Sequence, residues 1–427
     1  MLKNARRTMM AVLCTAVAVL AQETMEPTVE GRLLSILRAR GVIDASEYTE
    51  LSALEKEMRG GADLERQVNA LVAGMQDAAP KLARKAGKGF EFATADGKFS
   101  MTLGGRIQTR ATWNNFENAD DKFNFAVQRV RIGLDGQVFD ASWKYKVIFD
   151  ASGDKVTAGA STSTASFTAL REAWLEKSIS KAVNVRMGQY KTPYSRQWLA
   201  SSGGQEFVDR WVGHGTFAQN YQPGLMLHGM TGGEKSDLFE YYAGVFNGNG
   251  LNVQQTSGGD NRVLEVVRVA VNPFGGLKYS ECDFAGGDFK AAAGLNVWSS
   301  NDPAFDKADR SFGGDLTLAG HGLYLTGEWH DRSFANGDPD NNGWFAQAGY
   351  FVVPGTLEVG LRYATWSREG ATTGIDNVSE ILGVVGWFAD GHNLKIQLDA
   401  GRVETDNLGS TPDMEEFRVR LQASMIF

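Results

Sequence analysis

Cysteine is nearly absent from this chain of 427 residues: only Cys14 and Cys282 occur. Cys14 lies in an apolar N-terminal stretch with the marks of an export signal. Lys3, Arg6 and Arg7 precede the run Met9 to Leu20, and Val19 and Ala21 suit the −3 and −1 positions of a cleavage site. Leu13 rather than a small residue precedes Cys14, which argues against a lipoprotein signal. An exported chain left with Cys282 alone has no internal disulfide framework, so its stability must come from a large, well-paired structure. Long apolar runs are missing as well. The leader's core is too short to span a bilayer, and no later stretch reaches about 18 apolar residues, so no transmembrane helix is read. Histidine is scarce, and His214, His228, His321, His330 and His392 show no metal-ligand spacing. No metal and no cofactor are implied.

What the chain has is glycine, aromatics and alternation. It carries 50 Gly, 24 Phe, 10 Trp and 11 Tyr. The last segment sets Phe417, Val419, Leu421, Ala423, Met425 and Phe427 against Glu416, Arg418, Arg420, Gln422, Ser424 and Ile426, the period-two pattern of a strand with one greasy and one wet face. The same period predicts strands over 99–113, 125–139, 143–151, 167–178, 182–190, 222–231, 237–247, 262–272, 288–299, 310–318, 321–331, 343–352, 355–367, 378–388, 393–405 and 415–427. Connections alternate between short turns and long loops, among them 114–124 and 191–221, with a long 273–287 as the exception. An even strand count with that asymmetry predicts an all-β transmembrane protein: a 16-stranded antiparallel outer-membrane β-barrel over 99–427, in contact with lipid. Closure removes the sheet edges.

Before the barrel, 1–21 is the expected signal peptide, 22–86 a periplasmic helical or coiled-coil region, and 87–98 a linker. Val29, Leu33, Ile36 and Leu37 mark a short helix stopped by Gly41, and Asp44 and Glu47 have capping-box spacing. Leu51, Leu54 and Met58, then Leu64, Val68, Leu71 and Met75, form an apolar seam on each side of a break at Gly60-Gly61. The seam fits either a hairpin packed on itself or a coiled coil joining copies of the chain.

The formal net charge is −8, which taken alone argues against an anion pore. Its distribution argues the other way. A charge on the lipid face costs about 2–4 kcal/mol at mid-bilayer, so the basic residues of each strand must face the lumen. Those are Arg106, Arg110, Arg129, Arg131, Lys144, Lys146 and Arg186 in the first five strands, with Arg268, Lys290, Arg362, Lys395, Arg418 and Arg420 later. Inward acids include Asp135 and Asp150, while Glu117, Asp120, Asp121, Asp338 and Asp340 fall in long loops. A narrow bore responds to its nearest ring of charge rather than to the total. Small anions are the expected partners. The bland alternative is that these bases pair with lumen acids and only knit the wall. Basic residues confined to a bore leave nucleic-acid binding without support.

Several segments are similar to the phosphate-selective porin O and P family: Gly104-Gly105-Arg106-Ile107-Gln108, Gln128-Arg129-Val130-Arg131-Ile132-Gly133-Leu134-Asp135-Gly136, Tyr145-Lys146-Val147-Ile148-Phe149-Asp150, Met187-Gly188-Gln189-Tyr190-Lys191-Thr192-Pro193-Tyr194-Ser195 and Ala243-Gly244-Val245-Phe246-Asn247-Gly248. The resemblance implies a trimeric porin whose loop after the fifth strand folds inward. It also implies an anion held there by Arg106, Arg129, Arg131, Lys191 and Ser195, with Asp150 as a lumen partner. Phosphate is the anion it suggests. A general diffusion porin remains an alternative, as does a barrel-anchored adhesin whose Asp338–Gly343 loop could hold calcium. An enzymatic role would have to rest on His330, flanked by Glu328 and Asp331.

Overall fold

The computed structural model describes residues 29–78, 81–85, 87, 89–151, 169–232, 237–253, 262–301 and 308–427. The expected signal peptide lies outside them. The chain divides into two compact units, residues 1–79 and 80–427.

In the first unit, helix α1 (Val29–Ala39) ends before Gly41, which takes a φ of 71°. Helix α2 (Ala45–Ala78) opens on a complete capping box. Asp44 Oδ1 accepts from the N–H of Ser46 and Glu47 at 2.7 and 2.8 Å, and Glu47 Oε2 accepts from Asp44 N–H at 2.9 Å. The break expected at Gly60-Gly61 does not occur, and α2 runs straight through it. Each glycine costs roughly 1 kcal/mol against alanine. Good helix formers on both sides supply the propagation that carries the helix across. Leu33, Ile36, Leu51, Leu54, Met58, Val68 and Leu71 are all exposed.

The second unit is one antiparallel sheet. Strands β3 (Ser100–Phe116), β4 (Ala119–Val138), β5 (Asp140–Asp150), β6 (Ala169–Ser180), β7 (Val183–Lys191), β8 (Tyr221–Thr231), β9 (Phe239–Phe246) and β10 (Val263–Val271) pair in sequence order. Strands β11 (Lys290–Asn301), β12 (Ala308–Gly320), β13 (Leu323–Ser333), β14 (Asp340–Val353), β15 (Leu357–Glu369), β16 (Gly374–Asp390), β17 (Leu394–Leu408) and β18 (Met414–Ile426) continue it. β18 then pairs back onto β3, from Glu416 opposite Phe116 to Ile426 opposite Arg106, and closes a sixteen-stranded barrel. Each of the sixteen strands read from alternation has its counterpart.

The seam is finished by the last residue. Phe427 and Gly105 exchange both backbone hydrogen bonds, at 2.9 and 2.6 Å. A Cβ on Gly105 would stand 2.6 Å from the Phe427 ring, so glycine leaves the space in which that ring lies. β3 extends beyond this point, and its Ser100–Leu103 edge would be left unpaired. A hairpin covers it: β1 (Lys81–Lys85) pairs with β2 (Gly89–Ala93), and β2 pairs with β3 from Phe90 opposite Leu103 to Ala93 opposite Ser100. This corrects two expectations: β1 stands at the end of the expected helical region 22–86, and β2 within the expected linker 87–98. The single alternation Phe90-Glu91-Phe92 is too short to be read as a strand without the edge that it covers.

The expected long loop 114–124 is also corrected. β3 and β4 run on until two residues, 117 and 118, join them. Asn114, Asn115, Asp120 and Asp121 are poor strand formers, so the ladder that holds them is invisible to propensity.

Side chains alternate as a bilayer requires. Ile107, Ile132, Phe149, Leu175, Met187, Leu225, Val267, Leu295, Leu316, Leu361, Val385, Leu398 and Leu421 are exposed on the outer face, whereas Arg268, Arg362, Lys395, Gln397 and Gln422 are buried inside. No described helix is long and apolar enough to cross a membrane; the crossing is made by strands.

Candidate functional site: a cation-lined neck in the barrel

Residues 192–220, between β7 and β8, fold into the barrel and span it. Helices α3 (Arg196–Leu199) and α4 (His214–Phe217) lie within this segment. On the β8–β15 side its Tyr194, Trp211 and Phe217 join Met226, Phe246, Leu264, Val266, Trp298 and Phe345 in a packed core inside the barrel. Open space is left on the β3–β8 side. A second segment, 272–289, enters from the short-turn end and locks the first. Glu281 N–H donates to Gly204 O at 2.8 Å. The Glu281 carboxylate accepts from Glu206 N–H at 2.7 Å and from Gln347 Nε2 at 3.1 Å.

Two cavities lie on that side and meet at the neck. The larger, about 820 Å³, is lined by Arg106, Arg131, Lys144, Lys146 and Lys191 against Glu91, Asp135 and Glu172. The smaller, about 260 Å³, is lined by Arg129, Arg131, Arg171 and Arg210 together with Trp198, His214 and Tyr221, and among the described residues by no carboxylate. Arg131, Ser202 and Tyr221 line both, so the cavities meet there.

Around this neck, among the described residues, the cations outnumber the acids. Arg131 Nε donates to Asp150 at 2.7 Å, and Arg171 Nε to the same oxygen at 3.0 Å. Arg131 Nη1 also reaches Ser202 Oγ at 3.3 Å. Arg106, directly opposite Arg131 in the ladder, donates to Ser201 Oγ at 3.0 Å, while its buried Nε has no partner. Among the described residues, Arg106, Lys191 and Arg210 form no ion pair with a carboxylate. Lys191 Nζ is held by the carbonyls of Trp198, Leu199 and Ala200 at 2.7, 3.3 and 2.9 Å. Arg210 binds the carbonyls of Gln197 and Ala200 at 3.1 and 2.8 Å. Both cations therefore sit where α3 ends and its carbonyls are unsatisfied. Burial lowers Arg210 to about 10, which leaves it charged at neutral pH. Burial, with Arg210 and Lys191 nearby, holds His214 well below the usual imidazole range, so it is neutral there.

The other residues singled out from the sequence are placed as follows. Lys144 and Lys146 line the larger cavity, within 3.9 Å of Glu176 and 3.4 Å of Glu172 respectively. Arg186 is spent on Glu176 through two bonds of 2.8 and 2.6 Å. Arg110 is closed off beneath the inward segment, bound to Asp209 at 2.6 Å and to Gln422. Ser195 lies behind the neck, its hydroxyl donating to Glu328 and accepting from Trp198 N–H. His330 is enclosed by Tyr194, Trp211 and Phe217. Among the described residues no cluster of three or more His, Cys, Asp or Glu side chains is arranged to hold a metal ion.

Sequence reasoning missed Arg171, Ser201, Ser202, Arg210 and Tyr221. Arg171 is the extra residue of a β-bulge, between Glu172 opposite Ile148 and Leu170 opposite Phe149, and the bulge re-aims it inward beside Glu172. Gln128 is a second bulge residue. It shifts the alternation of β4 so that Arg129 and Arg131 stand opposite Gln108 and Arg106. The remaining four lie in or at the end of the inward segment, where no period exists to be read.

A closed sixteen-stranded antiparallel barrel with a segment folded into its bore has the fold of an outer-membrane porin. The comparison with known families agrees. Residues 101–267 match the model of the phosphate-selective porin O and P family, so the likeness read from the motifs is borne out over that stretch. The outer membrane channel DcaP of Acinetobacter baumannii shares the fold, with 14% identity and a TM-score of 0.52 over 77% of this chain and 97% of that one. The anion-selective porin from Comamonas acidovorans does too, at 14% identity and a TM-score of 0.50 over 77% of this chain and all of that one. An uncharacterized protein of Aquifex aeolicus (strain VF5) is 24% identical over 246 residues, 49% of this chain. The chain thus spans 57% of that curated relative.

Asp209 ties the neck to the wall. Burial pushes its carboxyl up, but Arg110, Arg129 and Arg420 outweigh this and hold it below the usual carboxylate range. A depressed folded pKa stabilises above the unfolded value of about 3.9 and is lost as pH falls through the folded one. Asp209→Asn is therefore expected to leave the barrel closed but to make segment 192–220 protease-sensitive at neutral pH. The unaltered chain should become so only below roughly pH 4. Digestion followed by mass spectrometry checks both.

Proposed function

We propose that the chain forms an anion-preferring pore in the bacterial outer membrane, with segment 192–220 as its constriction and phosphate or a similar small anion as its cargo. The observation that carries this is the smaller cavity: among the described residues, four arginines and no carboxylate line the space next to the neck. In a narrow low-dielectric bore such a ring governs which ion enters, whatever the molecule's net charge. Arg106, Arg129 and Arg131 from the wall, with Lys144, Lys146 and Lys191, form the cationic path. Arg171 and Arg210 complete the ring. Arginine suits a tetrahedral oxyanion because its planar fork can donate two bonds to it. Ser201 and Ser202 supply hydroxyls beside Arg106 and Arg131, the part that Ser195 was expected to play. Asp150 keeps Arg131 and Arg171 side by side and limits the excess of charge, so that an anion can leave as well as enter.

Two tests follow. Phosphate at low concentration should block the chloride current of the reconstituted channel, and Arg131→Glu should abolish the block with the barrel still folded. Chloride current indifferent to phosphate reduces the reading to a general anion porin.

The N-terminal region is proposed to lie in the periplasm, where the exposed stripe of Leu51, Leu54, Met58, Val68 and Leu71 would join three copies in a coiled coil. Light scattering of the full-length chain in detergent should give three copies, and Leu54→Asp should weaken the assembly. A monomeric full-length chain contradicts this.

A further inference from the structure

The neck is shaped by Ser201 and Ser202, and the chain that carries them is anchored a few residues later by Glu206. Glu206 is fully buried and reaches the barrel wall at β14 and β15. Its Oε2 accepts from Gln347 Nε2. Its Oε1 has no hydrogen-bond partner, and neither does the buried Oε1 of Glu358 on β15. These two oxygens converge. A Cβ placed on Gly349 would stand 1.3 Å from Glu206 Oε1 and 3.1 Å from Glu358 Oε1, and one on Gly360 would stand 3.0 Å from Glu206 Oε1. Two glycines thus clear the space in which one carboxyl group meets the other.

We propose that Glu206 and Glu358 are positioning residues that share one proton, and that this proton holds the neck-forming segment against the β14–β15 wall. A buried carboxylate oxygen without a donor is penalised, and two facing carboxylates cannot both ionise without repelling. A proton between them removes both penalties, because the protonated oxygen becomes a donor to the other.

The surroundings leave no better partner. Segment 272–289 contributes Glu281, whose carboxylate already serves Glu206 N–H, and Cys282, whose thiol donates to Glu358 Oε2 at 3.0 Å. Lys395 on β17 is turned to Gln205 O at 2.6 Å and His392 Nδ1 at 3.2 Å. Arg362 on β15 is bound to Glu380 and Asp209 O. Tyr324 on β13 is packed nearby, as is Arg196 on α3, which is bound to the carbonyls of Leu277 and Lys278. Burial, and then the neighbouring charges of Glu358 and Glu281, push the Glu206 carboxyl well above the usual range. A raised carboxyl pKa means that the docked state holds its proton to higher pH than a free carboxyl does and loses it as pH rises further. The anchor should release as pH rises, the opposite direction to Asp209.

The proposal goes beyond the identity of the cargo and stands whichever anion passes. Infrared spectroscopy of the full-length barrel in lipid tests it. A protonated-carboxyl band should persist at neutral pH and vanish on alkalinisation. It should be absent in Glu206→Gln and titrate at lower pH in Glu358→Gln. Over the same alkaline range, channel conductance and open-state noise should rise in the unaltered protein and stay flat in Glu206→Gln, whose amide remains a donor to Glu358. Absence of the band at neutral pH, as a cation bound between the two acids would give, overturns the proposal. So does identical titration in all three proteins, and should Glu206→Gln fail to fold, Glu358→Gln alone decides.

Discussion

The pairing of β18 with β3, sealed between Phe427 and Gly105, leaves the barrel no free edge. A bilayer offers no water to unpaired N–H and C=O groups, and each one left open would cost several kcal/mol. Closure therefore comes first, and the rest follows from it. Once the sheet is a cylinder, every strand has a lipid side and a lumen side, and a period of two decides which residue takes which. The β1–β2 hairpin answers the same constraint where β3 outruns the C-terminus.

Closure also resolves the conflict between an acidic chain and a basic bore. Inward charges fall into two groups. On the β10–β18 side several neutralise each other, as in Arg268 with Asp315, Arg362 with Glu380 and Arg420 with Asp399. There the bland expectation, that bases only knit the wall, holds, and the space between is filled by segments 192–220 and 272–289. On the β3–β8 side, among the described residues, the acids are fewer and shared, with Asp150 paired to two arginines and Asp209 to three. The surplus positive charge lies along the space that remains open.

Most of the architecture was legible because alternation is local. Strand number, strand order and the inward face of Arg106, Arg129, Arg131, Lys144 and Lys146 all follow from counting by two. Legibility ended where the count is broken or tertiary. A bulge at Arg171 puts two successive residues, Arg171 and Glu172, on the same side. Ser201, Ser202 and Arg210 owe their positions to contacts with distant strands, and segment 272–289 gives no periodic sign that it enters the barrel. Ser195, singled out by its motif, is turned away by Glu328, a partner 133 positions along the chain.

The central claim is that local charge at the neck, and not the net charge of −8, sets selectivity. The reversal potential of the reconstituted channel under a potassium chloride gradient measures this directly. The account predicts a potential of the sign set by chloride, and a shift toward potassium in Arg129→Ala. A potassium-selective potential in the unaltered channel would contradict it.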